Sequence, residues 1–149
     1  MNREPRFEDS YLSLQAMPGL PKGMLKETKA AIALARKFSY EVIRPLTLEA
    51  DRQTHADPEY LPWDLVKKAN EWGFYTMFIP RIFGGQGYNF PASSYVVEEL
   101  SSACVGIANV AFVHYLGVAG ILASWNVTLA NRIFREVALG QKTGKPCII

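Results

Sequence analysis

A long stretch without charged side chains is the feature that most constrains the fold of this chain. From Leu100 to Asn131 there is no Asp, Glu, Lys or Arg, although 20% of the 149 residues are charged. The segment Cys104–Trp125 alone is long enough to cross a bilayer as a helix. The stretch also holds Asn109 and His114, and amphipathic patterns flank it on both sides. We therefore predict a fully buried central helix and keep a transmembrane helix as the alternative.

Amphipathic helices are predicted on both sides of this stretch. Pro45 kinks or restarts the first helix, while Pro62 suits a first helical position and Gly73 suits the residue past a helix end. Gly140 is expected to end the last helix. The pattern predicts an all-α fold, an up-and-down-like bundle of about five to six helices around the central apolar helix. The predicted helices run from about Lys22 to Arg44, Leu46 to Arg52, Pro62 to Trp72, Pro91 to Ala103, Ile107 to Ser124 and Thr128 to Leu139.

The helical part is expected to occupy residues 22–143. Residues 1–21 are predicted to form an irregular, proline-containing arm, and they lack the apolar segment of a secretory signal. Within residues 144–149, the run Pro146–Ile149 is typical of the start of a strand. We therefore expect the chain to stop at the beginning of a further, β-structured domain.

Charge and cysteine content exclude several classes of protein. Lys+Arg 16 against Asp+Glu 14 leaves a net charge of +2, which argues against nucleic-acid binding because that needs a concentrated basic face. Cys104 and Cys147 fit neither a disulfide framework nor a zinc site, and this favours a reducing compartment. His55 and His114 have no Cys, Asp or Glu at ligand spacing, so no metal site is predicted. We interpret His114 as a hydrogen-bonded core residue.

A glycine loop and an acidic pair are the remaining candidates for chemistry. Gly85 to Phe90 reads G-x-G-x-x-F, which lacks the third glycine of a dinucleotide fingerprint and the lysine of a P-loop. We interpret this loop as a tight turn. Glu98 and Glu99 are neighbours on a predicted helix, so their side chains point about 100° apart and cannot share one substrate. Glu99 is expected to be partly buried and paired.

Several segments, taken in order, resemble the N-terminal helical domain of the acyl-CoA dehydrogenase family. They are Val42-Ile43-Arg44-Pro45 with Asp51, Trp72-Gly73-Phe74, Ile79-Pro80, Gly84-Gly85-Gln86-Gly87 and Val97-Glu98-Glu99-Leu100. The resemblance covers about Leu25 to Ile149. The chain departs from the family at Arg81 and Ile82, where acidic or polar residues usually follow the isoleucine-proline pair.

The resemblance implies the first of three domains of an FAD-dependent enzyme, before a middle β-domain and a C-terminal helical bundle. Such an enzyme oxidises the Cα–Cβ bond of an acyl-CoA thioester and passes electrons to an electron-transfer flavoprotein. A homo-oligomer, dimer or tetramer, in the cytoplasm or the mitochondrial matrix is implied. The base and most flavin contacts belong to the other domains, so no catalytic residue is expected here. The residues implied to wall the acyl pocket are Ala108, Asn109, Phe112, Val113 and Leu116.

Two alternatives stay open at this point. An acyl-CoA oxidase or a flavin monooxygenase of similar fold would share the same motifs. A non-catalytic helical binding or assembly module would keep the apolar helix without the chemistry.

Overall fold

The computed structural model describes residues 21–149, and these residues are helical with no strand. The predicted all-α fold is confirmed for this part of the chain. The predicted irregular arm falls, except for its last residue, outside the described residues. Short 3-10 turns form at Phe74–Thr76 and Arg81–Phe83. The α-helices are α1 (Lys22–Phe38), α2 (Arg44–Ala56), α3 (Trp63–Glu71), α4 (Ala92–Ser101), α5 (Val105–Ala123) and α6 (Val127–Thr143).

A π-helical segment, Ser39–Ile43, joins α1 to α2, so that the two form one continuous helix. Pro45 lies in the first turn of α2. Proline has no N–H for the helical ladder, and the wider turn stands directly before it. The chain thus changes from a π-helical to an α-helical turn at Arg44, directly before the proline, without a break in the helix.

The core forms where α1, α3 and the 3-10 turn at 74–76 meet. The Phe38 ring packs against the rings of Trp72 and Phe74, with centroid distances of 5.2 and 4.8 Å. Pro62 and Gly73 bound α3 close to the predicted positions. Gly73 adopts a φ of 81°, a left-handed conformation that glycine reaches without steric cost. This turn directs the buried segment that follows it under α5.

The last helix continues one turn beyond its predicted end. Gly140 lies inside α6, and Gly144 ends the helix with a φ of 70°. A Cβ atom on Gly140 would stand 2.5 Å from the carbonyl oxygen of Lys145, so the missing side chain lets the chain fold back along α6. The Lys145 N–H donates to the Gly140 carbonyl at 2.9 Å. Residues 145–149 form no strand within the described residues, and the start of a β-domain there stays a prediction.

The apolar helix of the uncharged stretch is α5, and it is not fully buried. Ala111, Tyr115 and Val118 are buried on one side, where α4, α6 and the turn at 74–76 contact it. Within residues 21–149 its other side is open to solvent, so the expectation of a helix covered on all sides is wrong here. By length and composition α5 could also cross a membrane, but one such helix is weak support because core helices share these properties.

Candidate functional site

The open side of α5 carries four of the five residues expected to line an acyl pocket. Phe112, Val113 and Leu116 are 42%, 50% and 53% exposed, and Asn109 lies exposed beside them. Ala108 is buried on the core side, so the structure does not bring it together with the other four. Contiguous exposed apolar side chains of this kind are typical of surfaces that another molecule or domain covers. We call the side of α5 that carries these four residues the α5 face.

The α5 face extends beyond the predicted residues towards the N-terminal end of the helix. Val105 is exposed at the N-terminal end and lines the same groove as Asn109 and Phe112, while Trp125 and Val127 are exposed apolar side chains beyond the end of the helix. Val105 lies one helical turn before Asn109 and two turns before Phe112. Helical spacing alone could therefore have identified Val105 as part of this face. Trp125 adopts a φ of 54°, which no periodicity reveals.

A shallow groove of about 340 Å³ lies between α4 and α5 beside the α5 face. Val97 and Val105 give it apolar walls, Ser101 and Asn109 add polar groups, and Phe112 also lines it. None of its lining residues is charged. Such a lining can exclude water around an apolar ligand, but it provides no acid or base.

His114 is the buried polar residue on the core side of α5. Its Nδ1 lies 3.2 Å from the Ile149 N–H, which can only donate, so Nδ1 accepts and the proton resides on Nε2. The Nε2–H then donates to the Tyr75 carbonyl oxygen at 2.7 Å. Burial lowers the pKa of His114, which keeps the ring neutral. Both ring nitrogens are satisfied, and the interpretation of His114 as a core residue is confirmed.

The glycine loop is a structural turn whose amides are already engaged. The N–H groups of Gly85, Gln86 and Gly87 donate to the carbonyls of Pro80, Thr76 and Ile79, at 3.3, 2.9 and 2.9 Å. A Cβ atom on Gly85 would stand 2.2 Å from the Ile79 carbonyl oxygen. The turn therefore needs glycine for close backbone packing. It has no free amides to cradle a phosphate group.

Glu99 is buried and forms an ion pair with Arg36, as its position on α4 predicted. The Arg36 Nη2 atom lies 2.7 Å from Oε1, and Nε lies 3.2 Å from both carboxylate oxygens. This two-pronged arrangement joins α1 to α4. The Ser39 hydroxyl also donates to the Glu99 carbonyl at 2.7 Å and ties the π-helical segment to the same point. The carboxylate is thus a structural partner and is not placed to take a proton from a ligand on the α5 face.

Three further titratable side chains near α5 are Tyr75, Tyr115 and Cys147. Burial raises the pKa of the Tyr75 and Tyr115 hydroxyls, which therefore keep their protons. Burial, with the Glu136 carboxylate nearby, also raises the pKa of the Cys147 thiol and disfavours the nucleophilic thiolate. Across the described range 21–149, no group of three or more His, Cys, Asp and Glu side chains is placed to hold a metal ion.

The FAD implied by the resemblance finds no built site on residues 21–149. The amides of the glycine loop already donate to carbonyls within the same turn. In addition, α5 carries no cation that would balance a diphosphate. Neither the glycine loop nor α5 therefore offers a place for the flavin diphosphate. No cofactor-binding residue is assigned to this chain.

Comparison of the sequence with known proteins shows which family and which proteins this chain is similar to. Residues 26–140 match the sequence model of the family described as "Acyl-CoA dehydrogenase, N-terminal domain". The probable medium-chain specific acyl-CoA dehydrogenase 2, mitochondrial, of Caenorhabditis briggsae is 33% identical over 127 residues, which cover 83% of this chain and 28% of that protein.

Relatives with lower sequence identity carry other names, and each of these names also contains CoA. The 3-sulfinopropanoyl-CoA desulfinase of Variovorax paradoxus is 26% identical over 116 residues, covering 78% of this chain and 28% of the relative. The isobutyryl-CoA dehydrogenase, mitochondrial, of Dictyostelium discoideum is 26% identical over 106 residues, covering 71% and 24%. The chain thus spans less than a third of the length of these curated relatives.

Proposed function

Because the chain belongs to the acyl-CoA dehydrogenase family and matches its N-terminal domain, we propose that its α5 face forms one wall of the acyl pocket of an FAD-dependent acyl-CoA dehydrogenase. The observation that carries this proposal is the α5 face itself. Phe112, Val113 and Leu116 offer apolar surface to solvent, on a helix without a single charged residue. A fatty acyl chain gains free energy by covering such surface, about 25 cal/mol for each Å² removed from water.

The contribution of the chain to the reaction is to exclude water and to position the acyl chain. An enolate-like charge that develops at the thioester is stabilised more strongly in a dry site than in water. The described residues offer no acid or base on the α5 face, since His114 and Glu99 are both buried in other contacts. The base, and the residues that would hold an FAD and its oxidising chemistry, are proposed to come from the rest of the protein.

The resemblance extends the proposal to partners and location. An acyl-CoA thioester is the proposed substrate, and an electron-transfer flavoprotein the proposed electron acceptor. A homo-oligomer in the cytoplasm or the mitochondrial matrix is proposed with them. The names of two relatives contain the word mitochondrial, and this supports the matrix as one of the two proposed locations.

A desulfinase is the second candidate, because four relatives are 3-sulfinopropanoyl-CoA desulfinases. A sulfinate group is anionic at neutral pH, and an anion in a pocket needs a cation or several donors. The α5 face offers the Asn109 amide and no cation. The apolar character of the face therefore favours an apolar acyl chain over the sulfinate.

The first experiment separates the role of this chain from that of the whole protein. The 149-residue chain is expected to purify without stoichiometric flavin absorbance and without dehydrogenation of acyl-CoA, because neither the glycine loop nor the α5 face within residues 21–149 offers a flavin site or a base. The longer protein that joins it to the other family domains is expected to be yellow and active. Flavin bound at one equivalent by the 149-residue chain would contradict this division of labour.

The second experiment tests the wall directly in that longer, flavin-loaded protein. Phe112→Ala removes a ring from the α5 face and should shift kcat/KM towards longer acyl chains. Each newly buried methylene contributes about 0.8 kcal/mol, so the change in preference should be tens of fold and not thousands. The matched control is Trp63→Ala on α3, another exposed aromatic side chain on a different helix. An equal fall at every chain length for Phe112→Ala would show that the ring is not in the pocket.

A further inference from the structure

A second exposed apolar surface lies on different elements, where the 3-10 turn Arg81–Phe83 meets the C-terminal half of α6. Ile82 is 76% exposed on the turn, and Leu139 is 59% exposed on α6. Both line a groove of about 430 Å³ between the turn and the helix. The floor of the groove is apolar, with Phe83 and Ala138 buried beneath it. We call this groove the α6 groove.

Three cations surround the two apolar side chains of the α6 groove. Arg135 and Lys142 stand one turn before and one turn after Leu139 on the same side of α6, and Arg81 faces them from the turn. No acidic residue lines the groove, and within residues 21–149 no carboxylate forms an ion pair with any of the three. By contrast, Arg36 is paired with a buried glutamate.

Two of these cations are held in place by hydrogen bonds that leave their outer nitrogens available. The Arg81 Nε donates to the Gln86 carbonyl at 3.0 Å, and the Arg135 Nε donates to the Asn131 side chain at 2.7 Å. Holding each guanidinium by Nε reduces the side-chain entropy that a partner would have to remove on binding. The terminal nitrogens can then meet a carboxylate in the two-pronged geometry that arginine favours.

We propose that the α6 groove is a docking surface for an acidic segment of a partner protein, one that places an apolar side chain between Ile82 and Leu139. Charge complementarity selects this occupant, since three cations ring the groove and no anion balances them. A second copy of this chain, related by a two-fold axis, would set the same cations against each other.

The test uses the full 149-residue chain and a labelled synthetic amphipathic peptide of glutamate and leucine as the probe. Fluorescence anisotropy should show binding that weakens as salt is raised. The double variant R135Q/K142Q should weaken the affinity about tenfold, since it removes two charge pairs. The matched control K67Q/K68Q removes the same charge from two exposed positions on α3 and should leave the affinity unchanged.

Three outcomes would overturn the proposal. Equal losses of affinity in R135Q/K142Q and K67Q/K68Q would show general attraction to a basic protein. Tight binding to phosphatidylserine vesicles that R135Q/K142Q abolishes, without binding of the peptide, would assign the surface to a lipid. Concentration-dependent dimerisation that Leu139→Gln abolishes would assign it to a second copy. Peptide affinity that falls also in Leu139→Gln supports the proposed apolar contact.

Discussion

Replacing Gly140 with alanine is expected to destabilise the chain, although the same exchange in an open helix is stabilising. In a helix interior, glycine to alanine normally gains about 0.5–1 kcal/mol, because alanine loses less backbone freedom on folding. At Gly140 the new Cβ would stand 2.5 Å from the Lys145 carbonyl oxygen and 3.1 Å from the Cys147 amide nitrogen. Both are backbone atoms that cannot rotate away, so residues 145–149 have to move.

The magnitude follows from the hydrogen bonds that this movement breaks. The Lys145 N–H donates to the Gly140 carbonyl at 2.9 Å, and the Ile149 N–H donates to His114 Nδ1 at 3.2 Å. Each such bond contributes about 0.5–1.5 kcal/mol, and a buried ring nitrogen left without a partner costs about 1–3 kcal/mol. After the gain in helix propensity is subtracted, the free energy of unfolding should fall by about 1–3 kcal/mol.

Urea denaturation provides the assay, and Gly120→Ala provides the matched control. Gly120 lies in α5 with nothing within 4 Å of the position that a Cβ would take, so alanine there should raise the unfolding midpoint. Gly140→Ala should lower the midpoint at an unchanged slope, and the Ile149 amide should exchange its hydrogen faster. If the two variants are stabilised equally, the fold-back of residues 145–149 onto α6 does not constrain the helix and the reasoning is refuted.

Three further predictions concern buried polar groups. Glu99→Gln removes the charge at the buried end of the ion pair with Arg36, so the free energy of unfolding should fall by about 1–3 kcal/mol. Thermal or urea denaturation measures this, and Glu98→Gln at an exposed position should change the free energy of unfolding little. Burial lowers the pKa of His114 below its usual 6.5, so the unfolded chain binds more protons as the pH falls and stability should decrease below about pH 6.5. His114→Gln should remove part of that pH dependence; a slope identical to that of the unmodified chain would contradict the assignment. Tyr115→Phe removes a buried hydroxyl that has no hydrogen-bond partner within residues 21–149, so stability should stay equal or rise by up to about 1 kcal/mol, and a larger loss would contradict this.

Helix boundaries set by local chemistry could be predicted from the sequence. Pro62 and Gly73 bound α3 because a fixed φ and a left-handed φ are properties of those residues alone. The end of α6 could not be predicted in the same way, because Gly140 and Gly144 both suit a helix end. Only the returning backbone of residues 145–149, a tertiary contact, decides that Gly140 stays helical.

The exposed side of α5 shows a second limit of sequence analysis. The helix is apolar around its whole circumference, so periodicity could not separate the buried side from the open one. The family resemblance identified Phe112, Val113 and Leu116, which the structure places in solvent. It also named Ala108, which the packing of neighbouring elements turns towards the core. The groove on α6 had no signal beyond the unusual Arg81 and Ile82, since its partner residues lie far away in sequence.

The wide turn between α1 and α2 has a consequence for how relatives of this chain are aligned. A π-helical turn amounts to one residue inserted into an α-helix, and it rotates everything that follows by about 100°. Ser39 lies in this turn and is hydrogen-bonded to the backbone of Glu99, so the extra residue has a fixed place in the fold. In a relative that lacks this extra residue, the α-helical periodicity of α1 would continue without a shift through Pro45. A gap of one residue at Ser39–Ile43, and not elsewhere in the helix, would then be the correct alignment of the two chains.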